Sequence, residues 1–179
     1  MKREIFLVTI VLLSVLVPGC TGSGRSDVSQ QAALQNTTVP NGSADPYIAE
    51  YEQGLLHHSA AKDSFDNATS LWDAGNYSAA VADYRDAMRE YGLASQHYGN
   101  MARYAGNASD RDFASAVSQC TDLMGEASEN FADAANVSDA SDTSAAYADF
   151  LKGQDLMDQS DALLNRSLLL MPPWLDGAA

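Results

Sequence analysis

The side chains best suited to metal binding or proton transfer are three histidines and two cysteines, and their spacing matches none of the common catalytic motifs. His57 and His58 are adjacent, so on a helix they point to different faces, and His97 lies far from both in the sequence. The chain has neither the Glu-x-x-His motif of di-iron bundles nor the Cys-x-x-Cys-His motif that attaches haem c. We therefore expect no enzymatic activity and no bound cofactor or metal. A haem site between His58 and a methionine is the alternative.

The chain is strongly acidic, with a formal net charge of −14. Nucleic-acid phosphates and anionic lipids carry the same sign, so we expect no nucleic-acid partner and no direct adsorption to a membrane. Holding this chain at a membrane would therefore require a covalent anchor. The acidic residues near the C-terminus, such as Asp155, Asp158 and Asp161, are interpreted as a solvated helix face, with loose Ca²⁺ binding as the alternative.

The N-terminus has the pattern of an export signal. A Lys-Arg pair at 2–3 precedes a mostly apolar run over 5–17, and thirteen residues of helix span only about 20 Å, too short to cross a bilayer. The tetrapeptide that follows, Val17-Pro18-Gly19-Cys20, resembles the lipobox of prokaryotic lipoproteins. This resemblance implies that residues 1–19 are removed and that Cys20 carries a lipid. An ordinary signal peptide and an uncleaved anchor are the alternatives.

Asparagine is concentrated in one type of triplet. Of nine asparagines, seven begin Asn-x-Ser/Thr, where chance would give roughly one or two. The seven are Asn36, Asn41, Asn67, Asn76, Asn107, Asn136 and Asn165. We predict that these residues are N-glycosylated, the alternative being that such triplets serve as turns and helix caps. A lipobox together with dense triplets is typical of an archaeal cell surface, so we expect a protein anchored on the outer face of the cell membrane.

Residues 20–44 are rich in small polar side chains and are interpreted as a flexible tether that follows the lipidated Cys20. Beyond it, apolar residues recur at steps of three and four, which predicts four helices over 45–171. Expected boundaries are Pro46 at the start, Gly75-Asn76 and Gly106 between helices, a polar turn over 137–142, and Pro172-Pro173 at the end. Ser109 is expected to cap the third helix. Residues 172–179 then form a C-terminal tail.

The predicted fold class is all-α, either an antiparallel four-helix bundle or tetratricopeptide-like helical hairpins. On the fourth helix, the stepping predicts a buried face that consists of Tyr147, Phe150, Gln154, Met157, Asp161, Leu164 and Leu168. On the second helix, tyrosines recur every seven residues, at Tyr77, Tyr84, Tyr91 and Tyr98. These rings are either a possible interaction surface or, more simply, part of the core.

The region over about 61–90 resembles one tetratricopeptide repeat. Gly75, Tyr77, Ala80, Tyr84 and Ala87 occupy positions where that family has Gly, small and aromatic residues. The resemblance implies a helical hairpin and a peptide-binding groove, although no second copy follows at the period of the family.

Taken together, these features predict a non-enzymatic, lipid-anchored extracellular protein whose helical domain binds another protein or a component of the cell envelope. The alternative is a bundle at the cell surface that binds a small solute or a metal ion.

Overall fold

The computed structural model describes residues 45–139 and 143–176. The predicted export signal, Cys20, the predicted tether, Asn36 and Asn41 lie outside the described residues. Four long helices make up the compact unit Pro46–Pro172: α1 (Pro46–Asp73), α2 (Tyr77–Tyr104), α3 (Ala108–Asp139) and α4 (Thr143–Leu169). A short helix, α5 (Pro173–Asp176), follows within the predicted tail. No strand occurs among these residues, so the predicted all-α fold is confirmed. Within the same ranges, no helix is both long and apolar enough to span a bilayer.

The turn between α1 and α2 is built by a glycine in a left-handed conformation. Gly75 has a φ of +75°, and the N–H groups of Gly75 and Asn76 donate to the last carbonyls of α1, those of Trp72 and Leu71, both at 2.9 Å. Any other residue type would be strained at this position, which explains why α1 ends here. The predicted boundary between these two helices is confirmed.

The other boundaries differ from expectation in two places. Asn107, rather than Ser109, caps α3: its Oδ1 accepts from the backbone N–H of Asp110 at 2.9 Å, while its Nδ2 donates to the Asp110 carboxylate at 2.8 Å. The second difference lies at the end of α3, which continues through Asp139, so Asn136 lies in a helix and not in a turn. The expected turn over 137–142 contains no Gly or Pro that would stop a helix at its first residue.

Each long helix packs mainly on the helix next to it in sequence, whereas α1 and α3 touch at only a few points. All four nevertheless meet in one aromatic cluster, formed by Phe65, Tyr84, Phe131 and Phe150. Trp72 at the end of α1 extends the cluster, with its ring centroid 5.8 Å from that of Phe150 on α4. The helices are therefore joined most closely at the end of the domain that holds the α1–α2 turn.

The buried face of α4 differs from the predicted one. The structure buries Ala146, Gly153, Leu156, Ser160 and Ser167, whereas Tyr147 is 63% exposed. Gly153 lies so close to the Phe131 ring that a Cβ atom would come within 3.0 Å of it. Small residues are buried here because they allow α4 to approach α3 closely. Of the predicted face, Phe150 and Met157 are half-buried and pack against the core. The prediction is wrong for Tyr147 and Leu168, which are exposed.

Candidate functional site

The four tyrosines that recur every seven residues on α2 belong mostly to the core. Tyr84, Tyr91 and Tyr98 are buried, and only Tyr77 is half-buried. Burial raises the pKa of the three buried phenols, and in Tyr84 a hydrogen bond to the Thr69 hydroxyl, 3.3 Å away, opposes this rise. The four rings therefore do not form an exposed interaction surface. The alternative interpretation, a core seam, agrees with their burial.

Two histidines that are far apart in sequence meet between α1 and α2. The rings of His57 and His97 are stacked, with centroids 5.4 Å apart and planes within 9° of parallel. Each ring is held by a carboxylate on the opposite helix: His57 Nδ1 lies 2.8 Å from Glu90 Oε2, and His97 Nδ1 lies 2.7 Å from Glu50 Oε2. The hydrogen bond from His57 lowers the pKa of Glu90, and a smaller contribution in the same direction comes from Arg89. We call these four residues, Glu50, His57, Glu90 and His97, the histidine–glutamate cluster.

A pattern in the sequence could have revealed this cluster. On each of the two helices, a glutamate precedes a histidine by seven residues, Glu50 before His57 and Glu90 before His97. Residues seven apart lie on one face of a helix, so two such pairs on antiparallel helices bond crosswise. His97, although far from His57 in the sequence, therefore meets it in the fold.

The histidine–glutamate cluster connects helices and has little capacity for metal binding. A metal ion lies close to the ring plane of each histidine that binds it, and the two nearly parallel, stacked planes of His57 and His97 share no such position. Within residues 45–139 and 143–176, no three His, Cys, Asp or Glu side chains are placed to hold an ion together. Instead, the two histidine–glutamate hydrogen bonds join α1 to α2, and the stacked rings lie between them.

His58, the next residue after His57, also faces α2 but lies outside this cluster. Its Nδ1 atom is buried and has no hydrogen-bond partner among the described residues, and its ring meets that of Tyr91 edge-on at 5.5 Å. Burial lowers the pKa of His58 to about 4, and the nearby Lys62 adds to this effect. The imidazole is therefore neutral near pH 7.

Cys120 is not an activated nucleophile. Its Sγ lies 3.0 Å from Ser160 Oγ, and that hydroxyl also lies within 3.1 Å of the Cys120 carbonyl oxygen. Burial raises the pKa of the thiol, and no histidine is bonded to it. Reactive cysteines have a lowered pKa and solvent access, so Cys120 serves packing between α3 and α4.

All five triplet asparagines that the structure describes are exposed: Asn67, Asn76, Asn107, Asn136 and Asn165. The two asparagines outside triplets differ from them. Asn130 is buried and donates to the Glu126 carbonyl at 2.7 Å, and Asn100 is half-buried. The amides that would receive a sugar are thus at the surface.

Large apolar side chains are exposed mainly on α1 and α4, the first and last of the long helices. On α1 they are Ile48, Leu55 and Leu56, and on α4 they are Tyr147, Leu151, Leu168 and Leu169. Each of these helices has one full packing neighbour, since α1 and α4 meet only near the aromatic cluster. Their outward faces are therefore uncovered within the compact unit.

Along α4, exposed residues follow one another at steps of three and four. We call this stripe the α4 outer face: Tyr147, Leu151, Asp155, Asp158, Ala162, Asn165 and Leu169. It has apolar residues towards both ends and two carboxylates between them. Comparison of the chain with protein-family models, with curated proteins and with solved structures gave no match.

Proposed function

We propose that the chain is a lipid-anchored protein of the outer cell surface that binds another protein through the α4 outer face. The observation that carries this proposal is the exposure of apolar residues on neighbouring turns there, 63% for Tyr147 and 45% for Leu151. Exposed apolar side chains on neighbouring turns of a helix are a common feature of protein-binding surfaces. The leader and the lipobox-like tetrapeptide support the location of the protein.

The charge of the α4 outer face indicates the chemistry of the partner. Asp155 and Asp158 are exposed between the apolar residues, in a chain with a net charge of −14. A matching surface would place lysine or arginine opposite these carboxylates, with apolar side chains on either side. An anionic membrane would be repelled by the same carboxylates. The partner is therefore expected to be a protein with an apolar helix or groove that carries basic residues.

Affinity capture from native surface membranes tests this proposal, with the wild-type protein as bait beside two double variants. Tyr147→Ser with Leu151→Ser removes apolar area from the α4 outer face, whereas Leu55→Ser with Leu56→Ser removes similar area from α1. We expect a specific partner that is retained by the wild type and the α1 variant, and lost with the α4 variant. Raising the ionic strength should weaken the capture, because the carboxylates contribute to it.

Two results would contradict the proposal. If both double variants capture the same proteins as the wild type, the α4 outer face has no binding function. If the native polypeptide is found in the cytosol with residues 1–19 still attached, the surface location is wrong.

A further inference from the structure

The triplets around the five exposed asparagines are not equivalent in the folded domain. Asn76 and Asn107 each directly precede a helix, so the third residues of their triplets, Ser78 and Ser109, lie in a first helical turn. Both of these serines are exposed. Backbone N–H groups in a first turn have no acceptor within their own helix. These two triplets therefore present the asparagine amide and the third-position hydroxyl at the surface, at the start of a helix.

The other triplets lie within helices, and two of them have their hydroxyl turned inwards. Thr69, the third residue of the Asn67 triplet, donates to the Phe65 carbonyl at 2.9 Å and lies 3.3 Å from the Tyr84 hydroxyl in the core. Ser167, the third residue of the Asn165 triplet, is only 1% exposed and donates to the Leu164 carbonyl at 2.8 Å. An enzyme that recognises the triplet by this hydroxyl could reach it only after the helix had opened.

Asn136 also lies within a helix, near the end of α3. Its amide is exposed, but Ser138 is half-buried and follows it in helical backbone. The amide faces a shallow groove of about 300 Å³ between α2 and α3, which Ser78 also lines. This triplet therefore resembles those of Asn67 and Asn165, which lie within helices, rather than those of Asn76 and Asn107.

We propose that Asn76 and Asn107 are the residues of the described domain that receive N-linked sugar, and that Asn67, Asn136 and Asn165 stay bare. The donor would be a sugar activated as a phosphate ester. In the transfer, Nδ2 of the asparagine forms a bond to the anomeric carbon of the sugar and loses one proton. The bond from that carbon to the phosphate oxygen breaks, and the phosphate leaves with the electron pair. The proposal rests on the exported location that the proposed function includes.

The local geometry is compatible with modification at both asparagines. The Asn76 side chain makes no capping hydrogen bond to α2, so a sugar there disturbs no contact of the helix start. Asn107 caps α3 through Oδ1, which the transfer leaves unchanged, and its Nδ2 keeps one N–H for the Asp110 carboxylate. Sugars would then be placed at both ends of α2. The α4 outer face would stay free of sugar, because Asn165 is not modified.

The test uses the protein purified from its native membrane, by intact mass and by mapping of the peptides that contain each triplet. We expect sugar on the peptides of Asn76 and Asn107, and unmodified peptides for the other three asparagines. Ser78→Ala and Ser109→Ala should each remove the mass of one glycan, because each destroys a triplet without touching the asparagine. Ser138→Ala is the matched control and should leave the mass unchanged.

The outcomes separate this inference from the proposed function. Bare peptides at both Asn76 and Asn107, in a protein that carries a lipid on Cys20, would overturn the inference and leave the surface location intact. Sugar on all five asparagines would also overturn it, because access in the folded state would then not decide modification. A protein that retains residues 1–19 in the cytosol would remove both proposals.

Discussion

His58 makes the stability of the domain depend on pH. Its pKa is lowered from 6.5 to about 4 in the folded protein, because its buried ring is costly to charge. In the unfolded chain the ring is hydrated and takes up a proton near its ordinary pKa. The unfolded state thus binds more protons between these two values, so stability falls as the pH falls. The contribution is fully present above pH 6.5 and is lost towards pH 4.

The size of this effect follows from the change in pKa. At about 1.4 kcal/mol for each pH unit, the drop from 6.5 to about 4 corresponds to roughly 3 kcal/mol of lost stability. Lys62 is the charged neighbour on the same helix, and it opposes protonation throughout this range. Tyr91 on α2, which the His58 ring meets edge-on, has a raised pKa and stays neutral in acid. No nearby group is therefore expected to compensate a charge on His58.

The assay is urea unfolding followed by circular dichroism at pH 7, 5 and 4, on the wild type and on His58→Phe. Phenylalanine retains a ring edge-on to Tyr91 but has no proton to gain and no unpartnered nitrogen, so it should not weaken the domain at pH 7. Between pH 7 and pH 4, the wild type should lose about 3 kcal/mol more than the variant. The carboxylates, including Glu90 with its lowered pKa, act alike in both proteins and cancel in the difference. Equal losses of stability between pH 7 and pH 4 in the wild type and in His58→Phe would refute the reasoning.

Two further predictions each compare a variant with a matched control by urea unfolding. Gly54→Ala should destabilise the domain by about 1–3 kcal/mol, because its Cβ would lie 2.5 Å from the buried Tyr98 ring. Gly92→Ala, with open space around it, should stabilise by about 0.5–1 kcal/mol; equal effects would contradict the close approach. Asn107→Ala should cost about 1 kcal/mol, since it removes the cap of α3. Asn76→Ala should cost much less, because Asn76 makes no capping hydrogen bond. A larger loss of stability in Asn76→Ala than in Asn107→Ala would show that the helix caps are wrongly assigned.

Much of the fold could be predicted from local features of the chain. The Gly75 turn was predictable because only a glycine tolerates the left-handed conformation that ends α1. Tyr84, Tyr91 and Tyr98 are buried, which agrees with the alternative prediction that their seven-residue spacing places them in the core. Both features depend on neighbours within one helix or one turn, where sequence spacing and distance in space are closely related.

The rest depended on contacts between helices, which local spacing does not determine. The hydrophobic pattern placed Tyr147 and Leu168 on the buried face of α4, but close packing against α3 through Gly153 and Ser160 leaves both exposed. The histidine–glutamate cluster was missed because its bonds join residues 33 and 47 positions apart. Such pairs become predictable only once the alignment of α1 with α2 is known.

The packing of each helix chiefly on its sequence neighbours has a consequence for folding speed. Most tertiary contacts lie between helices that are adjacent in sequence, and helical domains with such local contacts commonly fold within microseconds to milliseconds. At the proposed surface location, the polypeptide would emerge unfolded from a membrane, with little time before its apolar segments meet those of other chains. We expect the array to form hairpin by hairpin on emergence, so that aggregation has little opportunity to compete with maturation.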